Sequence, residues 1–155
     1  MAGDPRVLLQ QAERALKGAS GGWSFFSDRS EKYENAANLF KQAANAFQMQ
    51  EQYMEAGQAF ERLAQIQSTN LNEPDYAANS LTDAFKVYRM CNLDDAVRVL
   101  SSVIQHYVVK GNRRRAATEK HNLAEIYELE LRDIHKALEA YEQAGKWFKV
   151  DNSPA

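Results

Sequence analysis

Residues 36–47 read AANLFKQAANAF, a stretch in which small residues and an aromatic recur three and four positions apart. Related patterns follow at 55–64 (EAGQAFERLA), 77–85 (AANSLTDAF), 94–107 (DDAVRVLSSVIQHY), 114–127 (RRAATEKHNLAEIY) and 133–148 (DIHKALEAYEQAGKWF). One such segment is too short to bury its apolar stripe alone. Consecutive segments pack through Ala and Gly positions and are wedged by Phe, Tyr and Leu, which is the signature of stacked antiparallel helices. The expected fold is all-α: a right-handed solenoid of helical hairpins, tetratricopeptide-like, with about seven helices in a single domain over residues 1–155. Solenoids of this kind usually bind rather than catalyse.

Composition agrees. The chain has 155 residues, 45% hydrophobic and 26% charged, enough for one continuous core. A net charge of −2 is a poor match to generic nucleic-acid binding, which needs a broad excess of Lys and Arg. The lone cysteine, Cys91, has no internal disulfide partner. With no glycosylation sequon, signal peptide or long apolar run in the sequence, a cytoplasmic location is expected.

The helices are expected as follows. The first runs from Asp4 to Lys17, with Asp4 as N-cap, Pro5 at the first helical position and Gly18 as the stop. The second runs from Ser30 to Gln50 and turns Tyr33, Ala37, Phe40, Ala44 and Phe47 to one face. The third covers Tyr53–Ser68, with Ala56, Ala59, Phe60, Leu63 and Ile66 inward. Pro74 opens the fourth, which buries Ala78, Leu81, Phe85 and Tyr88. A fifth spans Asp94–Lys110, with Gly111 left-handed after it. Arg113–Glu130 and Asp133–Val150 complete the set.

Two features exceed what packing requires. The loop at 19–29 contains Trp23, Phe25 and Phe26 between glycines. These rings either fold back over the end of the solenoid or stay exposed and dip into a lipid interface, where aromatics are favoured. Full burial of one ring is worth at most about 4–6 kcal/mol by area, and partial insertion much less, so the loop would be a weak, reversible anchor. The second feature is charge. Between Lys86 and Lys120, eight basic residues stand against three acidic ones, an excess of +5 that leaves −7 for the rest of the chain. KGNRRR reads either as a solvated helix end or, with Arg89, Lys110, Arg113, Arg114 and Arg115 on one face, as a surface for an acidic partner.

Catalytic readings find little support. GGWSFF lacks the closing glycine of a nucleophile elbow, and there is no phosphate-cradling glycine loop and no paired-cysteine metal spacing. His106, His121 and His135 fall on different helices, as surface or packing residues. Glu125, Glu128, Glu130 and Asp133 read as a solvated face. No enzyme activity, metal or cofactor is expected.

SGGWSFF at 20–26, AANLF at 36–40, EAGQAF at 55–60 and above all NLAEIYELELRDIHKALEAYEQAGKWF at 122–148 resemble the amino-terminal half of the soluble NSF attachment proteins, the alpha-SNAP family, in a fungal form. The resemblance covers essentially the entire chain. It implies an adaptor without catalysis. Such proteins grip the acidic four-helix bundle of syntaxin-like and partner SNARE proteins with a basic concave face and touch the membrane through the aromatic loop. They recruit the NSF ATPase through a carboxyl-terminal region, for SNARE disassembly in vesicle trafficking. The same resemblance implies membrane contact at Trp23, Phe25 and Phe26, and SNARE contact at Arg89, Lys110, Arg113, Arg114 and Arg115. Met90 and Thr118 stand where some members carry lysine, and Arg114 and Arg115 compensate one turn earlier. Since the family's chains are about twice this length, the NSF-contacting half is expected to be absent. The competing expectation is a general tetratricopeptide-like peptide-binding scaffold with no membrane role, which inward-packed loop aromatics would indicate.

Overall fold

The computed structural model describes residues 3–21 and 26–151, with the side chains of 26–28 and 151 outside that description. Every element among the described residues is helical: α1 (Pro5–Ser20), α2 (Phe26–Met49), α3 (Tyr53–Thr69), α4 (Pro74–Arg89), α5 (Leu93–Lys110), α6 (Arg113–Glu125, continuing as a π-helical segment over Ile126–Glu130) and α7 (Ile134–Asp151). The all-α expectation and the count of seven hold.

Two compact units emerge, Met1–Asn92 and Leu93–Ala155. In the first, α1 packs on α2, α2 on α3 and α3 on α4; in the second, α5 packs on α6 and α6 on α7. Short links reverse the chain between neighbours, which makes each pair antiparallel.

Start signals act as their chemistry dictates. Asp4 Oδ1 accepts from the amide of Arg6 at 3.0 Å, with Pro5 at the first helical position. Asn112 Oδ1 accepts from the Arg115 amide at 3.1 Å, and Asp133 Oδ1 from that of Lys136 at 3.0 Å. Gly18 does not stop α1, contrary to expectation. The helix runs through it to Ser20, and the Gly21 amide closes it on the Lys17 carbonyl at 3.1 Å. A helical glycine costs only about 1 kcal/mol relative to alanine. Fully buried Ala19 holds the extra turn in place. The second helix also starts earlier than Ser30, so the loop expected at 19–29 shrinks from both ends.

Four links each contain one residue at positive φ: Glu51 (59°), Asn72 (54°), Gly111 (85°) and Arg132 (56°). After Glu51 and Gly111, the amides of Gln52 and Asn112 reach back five residues to the carbonyls of Phe47 and Tyr107, both at 2.9 Å. This is the closing bond of a Schellman turn. After Asn72 and Arg132, the amides of Glu73 and Asp133 reach back six residues to Gln67 and Tyr127, both at 2.7 Å. Each pair of turns is sixty residues apart (51 to 111, 72 to 132), so α2–α4 and α5–α7 are two copies of one three-helix plan. Ala56 and Ala116, Leu63 and Leu123, Ala64 and Ala124, and Ile66 and Ile126 are identical at this spacing, and all eight are buried.

The core follows the expected stripes. Ala37, Phe40, Ala44 and Phe47 of α2 are buried, as are Ala56, Ala59, Phe60, Leu63 and Ile66 of α3 and Ala78, Phe85 and Tyr88 of α4. Tyr33 and Leu81 are half-buried. Alanines outnumber all other buried apolar side chains together among the described residues, so the helices approach nearly to backbone contact. The closest approach is at Gly57, where an added Cβ would lie 2.4 Å from Tyr88 Cε1. Tyr88, itself buried, donates its hydroxyl proton to Glu61 Oε2. Arg62 of α3 joins all three first helices: its guanidinium makes a bidentate pair with Glu13 of α1 at 2.6 and 2.9 Å and lies 5.0 Å over the Phe40 ring of α2.

Candidate functional site

The turn between α5 and α6 gathers most of the candidate cations. Lys110 is the last residue of α5, Gly111 takes the left-handed conformation, Asn112 caps α6, and Arg113, Arg114 and Arg115 fill its first turn. All four cationic residues are exposed. Their position is unusual for a helix start, where the dipole places about half a positive charge and favours acidic residues. The first turn of α6 has no acidic residue. The arginines therefore add to the dipole instead of opposing it, producing a local positive field at some cost to the helix.

The three arginines are not equivalent. The Arg115 guanidinium is 3.5 Å from Glu119 Oε1 one turn on and stacks 5.2 Å over the ring of Tyr107 from α5. Those contacts tie it to the protein. Arg114 lines a shallow depression with Asn112, Arg115, Thr118 and Glu119, and its carbonyl accepts from Thr118 Oγ1 at 3.1 Å. Glu119 is the one buried charged residue among the described residues and also accepts from Asn122 Nδ2 at 3.4 Å. Arg89 ends α4 in the other unit and is likewise exposed. Met90 beside it is 66% exposed, an apolar side chain facing solvent.

Trp23 and Phe25 lie outside the described residues. Phe26 forms the first residue of α2, and its side chain is also outside that description. No helix among the described residues is long and apolar enough to cross a membrane.

Farther along the second unit, the π-helical segment closes with the Leu131 amide on the Ile126 carbonyl at 2.9 Å. Such wide turns recur at functional sites and redirect the side chains that follow. Here Glu128 accepts from the Tyr141 hydroxyl of α7 at 2.6 Å, while the Tyr141 ring meets His121 edge-on at 5.3 Å. That hydrogen bond, aided by desolvation and by the negative charges of Glu128 and Glu125, pushes the Tyr141 phenol up to about 12. Glu128 is exposed and Glu125 half-buried, so the carboxylates keep the solvent contact expected of them while Glu128 adds the bond to Tyr141. The thirteen-residue reach from Glu128 to Tyr141 crosses a helix turn, which helical periodicity alone does not span. Among the described residues, no group of three His, Cys, Asp or Glu side chains is placed to hold a metal ion.

The model of the family described as "Soluble NSF attachment protein, SNAP" matches residues 3–155. The chain belongs to this family. It is 48% identical over its full length to a probable vesicular-fusion protein sec17 homolog of Neurospora crassa. It is 38% identical over 154 residues to the alpha-soluble NSF attachment protein of Saccharomyces cerevisiae, and 34% identical over 147 residues to that of Homo sapiens. It covers 53%, 52% and 50% of those three proteins, so it spans about half the length of the relatives it matches. The family resemblance carried by residues 122–148 is thereby established for the chain as a whole.

Proposed function

We propose that this chain is the SNARE- and membrane-contacting part of an adaptor that brings an NSF-type ATPase to assembled SNARE bundles in vesicle-mediated transport, including traffic between endoplasmic reticulum and Golgi. The observation that carries the reading is the positive turn of α5–α6, where Lys110 and Arg113–Arg115 stand exposed at a helix start that repels acids nowhere. A bundle of acidic helices is the complementary partner, and long-range attraction from several cations would steer and hold it. Arg89, exposed at the end of α4, is a further cation for an acidic partner. Trp23, Phe25 and Phe26 supply weak membrane contact, which gains importance when the bundle is itself anchored in that membrane, because the second attachment is then intramolecular. The adaptor works from the cytosolic face of membranes and performs no catalysis. Recruitment of the ATPase belongs to the half of the relatives' length that this chain does not span.

Co-sedimentation with an assembled SNARE bundle tests the reading. Reversing Arg114 and Arg115 to Glu should weaken binding by a few kcal/mol at most, since exposed pairs are worth about 0–1 kcal/mol each and matter only together. Wild-type binding should fall steeply with salt, given a Debye length of about 8 Å at physiological ionic strength. Binding indifferent to both the reversal and roughly 0.5 M salt would refute an electrostatic contact.

A further inference from the structure

A groove recurs at the same place in both three-helix copies. In the first unit Lys41, Leu63, Gln67 and Tyr76 line it; sixty positions on, Ser101, Leu123, Tyr127 and Lys136 line its counterpart in the second. Recurrence at equivalent positions makes the groove a product of the α–α–α plan and not of one ill-fitting side chain. The charge of the two copies differs. The first carries Glu34 and Glu73 against Lys41. The second carries Lys120 and Lys136 against Glu139, whose carboxylate is already 3.1 Å from His135 Nε2.

The two lysines of the second groove are held ready for an anion. Lys136 Nζ sits 5.7 Å over the Tyr127 ring and 4.0 Å from Asp133 Oδ2, too far for a hydrogen bond, so its donors stay available. Lys120 is half-buried on α6 and makes no ion pair or hydrogen bond among the described residues. With its stem packed along α6 and no acceptor on its ammonium, Lys120 can meet an incoming anion without first breaking a contact. This is not the arginine surface. Lys120 lies two positions beyond Thr118, about 200° round the helix from the face that Arg114 and Thr118 share, whereas Arg113, seven positions before Lys120, is on the groove's side of α6 but about two turns, roughly 10 Å, nearer the helix start.

We propose that the groove of α5, α6 and α7 is a docking site for an acidic peptide segment, separate from the arginine turn. Carboxylates of the segment meet Lys120 and Lys136, its backbone hydrogen-bonds to Ser101, Tyr127 and Gln143, and Leu123 and Ala140 receive the aliphatic stems of its glutamates. A peptide fits better than a phosphate group. The lining runs across three helices instead of closing into a bowl, it holds no arginine fork, and Glu139 would repel a dianion concentrated at one point.

The test uses a labelled glutamate-rich peptide, read by fluorescence anisotropy, together with amide chemical shifts of the isotope-labelled chain. Shifts should centre on Ser101, Lys120, Leu123, Lys136 and Gln143. Lys120→Glu should weaken binding about tenfold with an unchanged melting temperature, and Lys120→Gln by a smaller factor in the same direction. If the reversal fails to fold, Lys120→Gln decides alone. Arg114→Glu with Arg115→Glu should leave the groove shifts in place, even where it abolishes binding of a SNARE bundle. The proposal is overturned by shifts centred on Arg113–Arg115, by absence of binding at low salt, or by indifference to both Lys120 variants. Displacement of the peptide from the groove by inositol hexakisphosphate at lower concentration than the peptide itself requires would also overturn it, in favour of a phosphate site.

Discussion

Replacing Gly57 with alanine sets two opposed effects against each other at one position. Alanine is the better helix former by about 0.8–1 kcal/mol, so an unconstrained Gly→Ala change in a helix should stabilise. At Gly57, however, the new Cβ would lie 2.4, 2.5 and 2.7 Å from three atoms of the Tyr88 ring. Carbon atoms pack best at about 3.5–4.0 Å, so ring or helix must yield by about an ångström. The ring has little freedom to yield, since it is buried and its hydroxyl is held by Glu61. Overpacking of this kind costs about 1–3 kcal/mol, which leaves a net loss of about 1 kcal/mol, or about 2–4 °C in melting temperature for a chain of this size. Gly145 is an internal control. It lies within α7, and an added Cβ there meets nothing within 4 Å. Thermal unfolding followed by circular dichroism should show Gly145→Ala raising the melting temperature and Gly57→Ala lowering it. Adding Tyr88→Leu should convert Gly57→Ala from harmful to helpful relative to Tyr88→Leu alone. If Gly57→Ala stabilises the native chain as much as Gly145→Ala does, the close approach of α3 and α4 is wrong.

Other expectations follow from separate parts of the molecule. The folded value of about 12 for Tyr141 lies above its ordinary 10.0, so its hydrogen bond to Glu128 stabilises fully below about pH 10 and is lost between about 10 and 12. Spectrophotometric titration should show a late-ionising phenol that Tyr141→Phe removes; an unchanged curve would exclude the bond. Phe25→Ser with Phe26→Ser should weaken liposome association and leave the melting temperature nearly unchanged, whereas a drop of many degrees would assign the rings to the core. The 155-residue chain, in excess over a full-length adaptor and its ATPase, should slow SNARE disassembly by occupying bundles. Stimulation of the ATPase by this chain alone would contradict that division of labour.

Helix number and most helix edges were legible because they depend on local signals. Pro5, Pro74 and Gly111 mark ends that elementary backbone sterics enforce, and the stripes of α2 and α3 repeat at the helical period. Where a signal was present but weak, tertiary packing decided: Gly18 gave way to the burial of Ala19. The left-handed turns at Glu51, Asn72 and Arg132 carry no glycine to announce them. The sixty-residue plan is masked in the sequence by the shorter twenty-residue pattern, although identities such as Ile66 with Ile126 mark it. In the candidate site, the clustering of Lys110 with Arg113–Arg115 could be read from adjacency. The capture of Arg115 by Glu119 and Tyr107 and the groove around Lys120 could not, since both depend on which side of α6 meets which neighbour.

The alanine-rich interior has a consequence for how the sequence can change over time. Where helices meet through methyl groups and a single glycine, there is little side-chain volume to lose and almost no space to gain. Truncation, the change that usually damages a core most, has its targets in the aromatic wedges and in buried aliphatics such as Leu63, Leu100 and Ile126, while enlargement threatens the more numerous alanines. Drift at the buried positions is therefore one-sided. Ala, Ser and Gly can exchange among themselves, and a step up to Val or Leu forces two packed backbones apart.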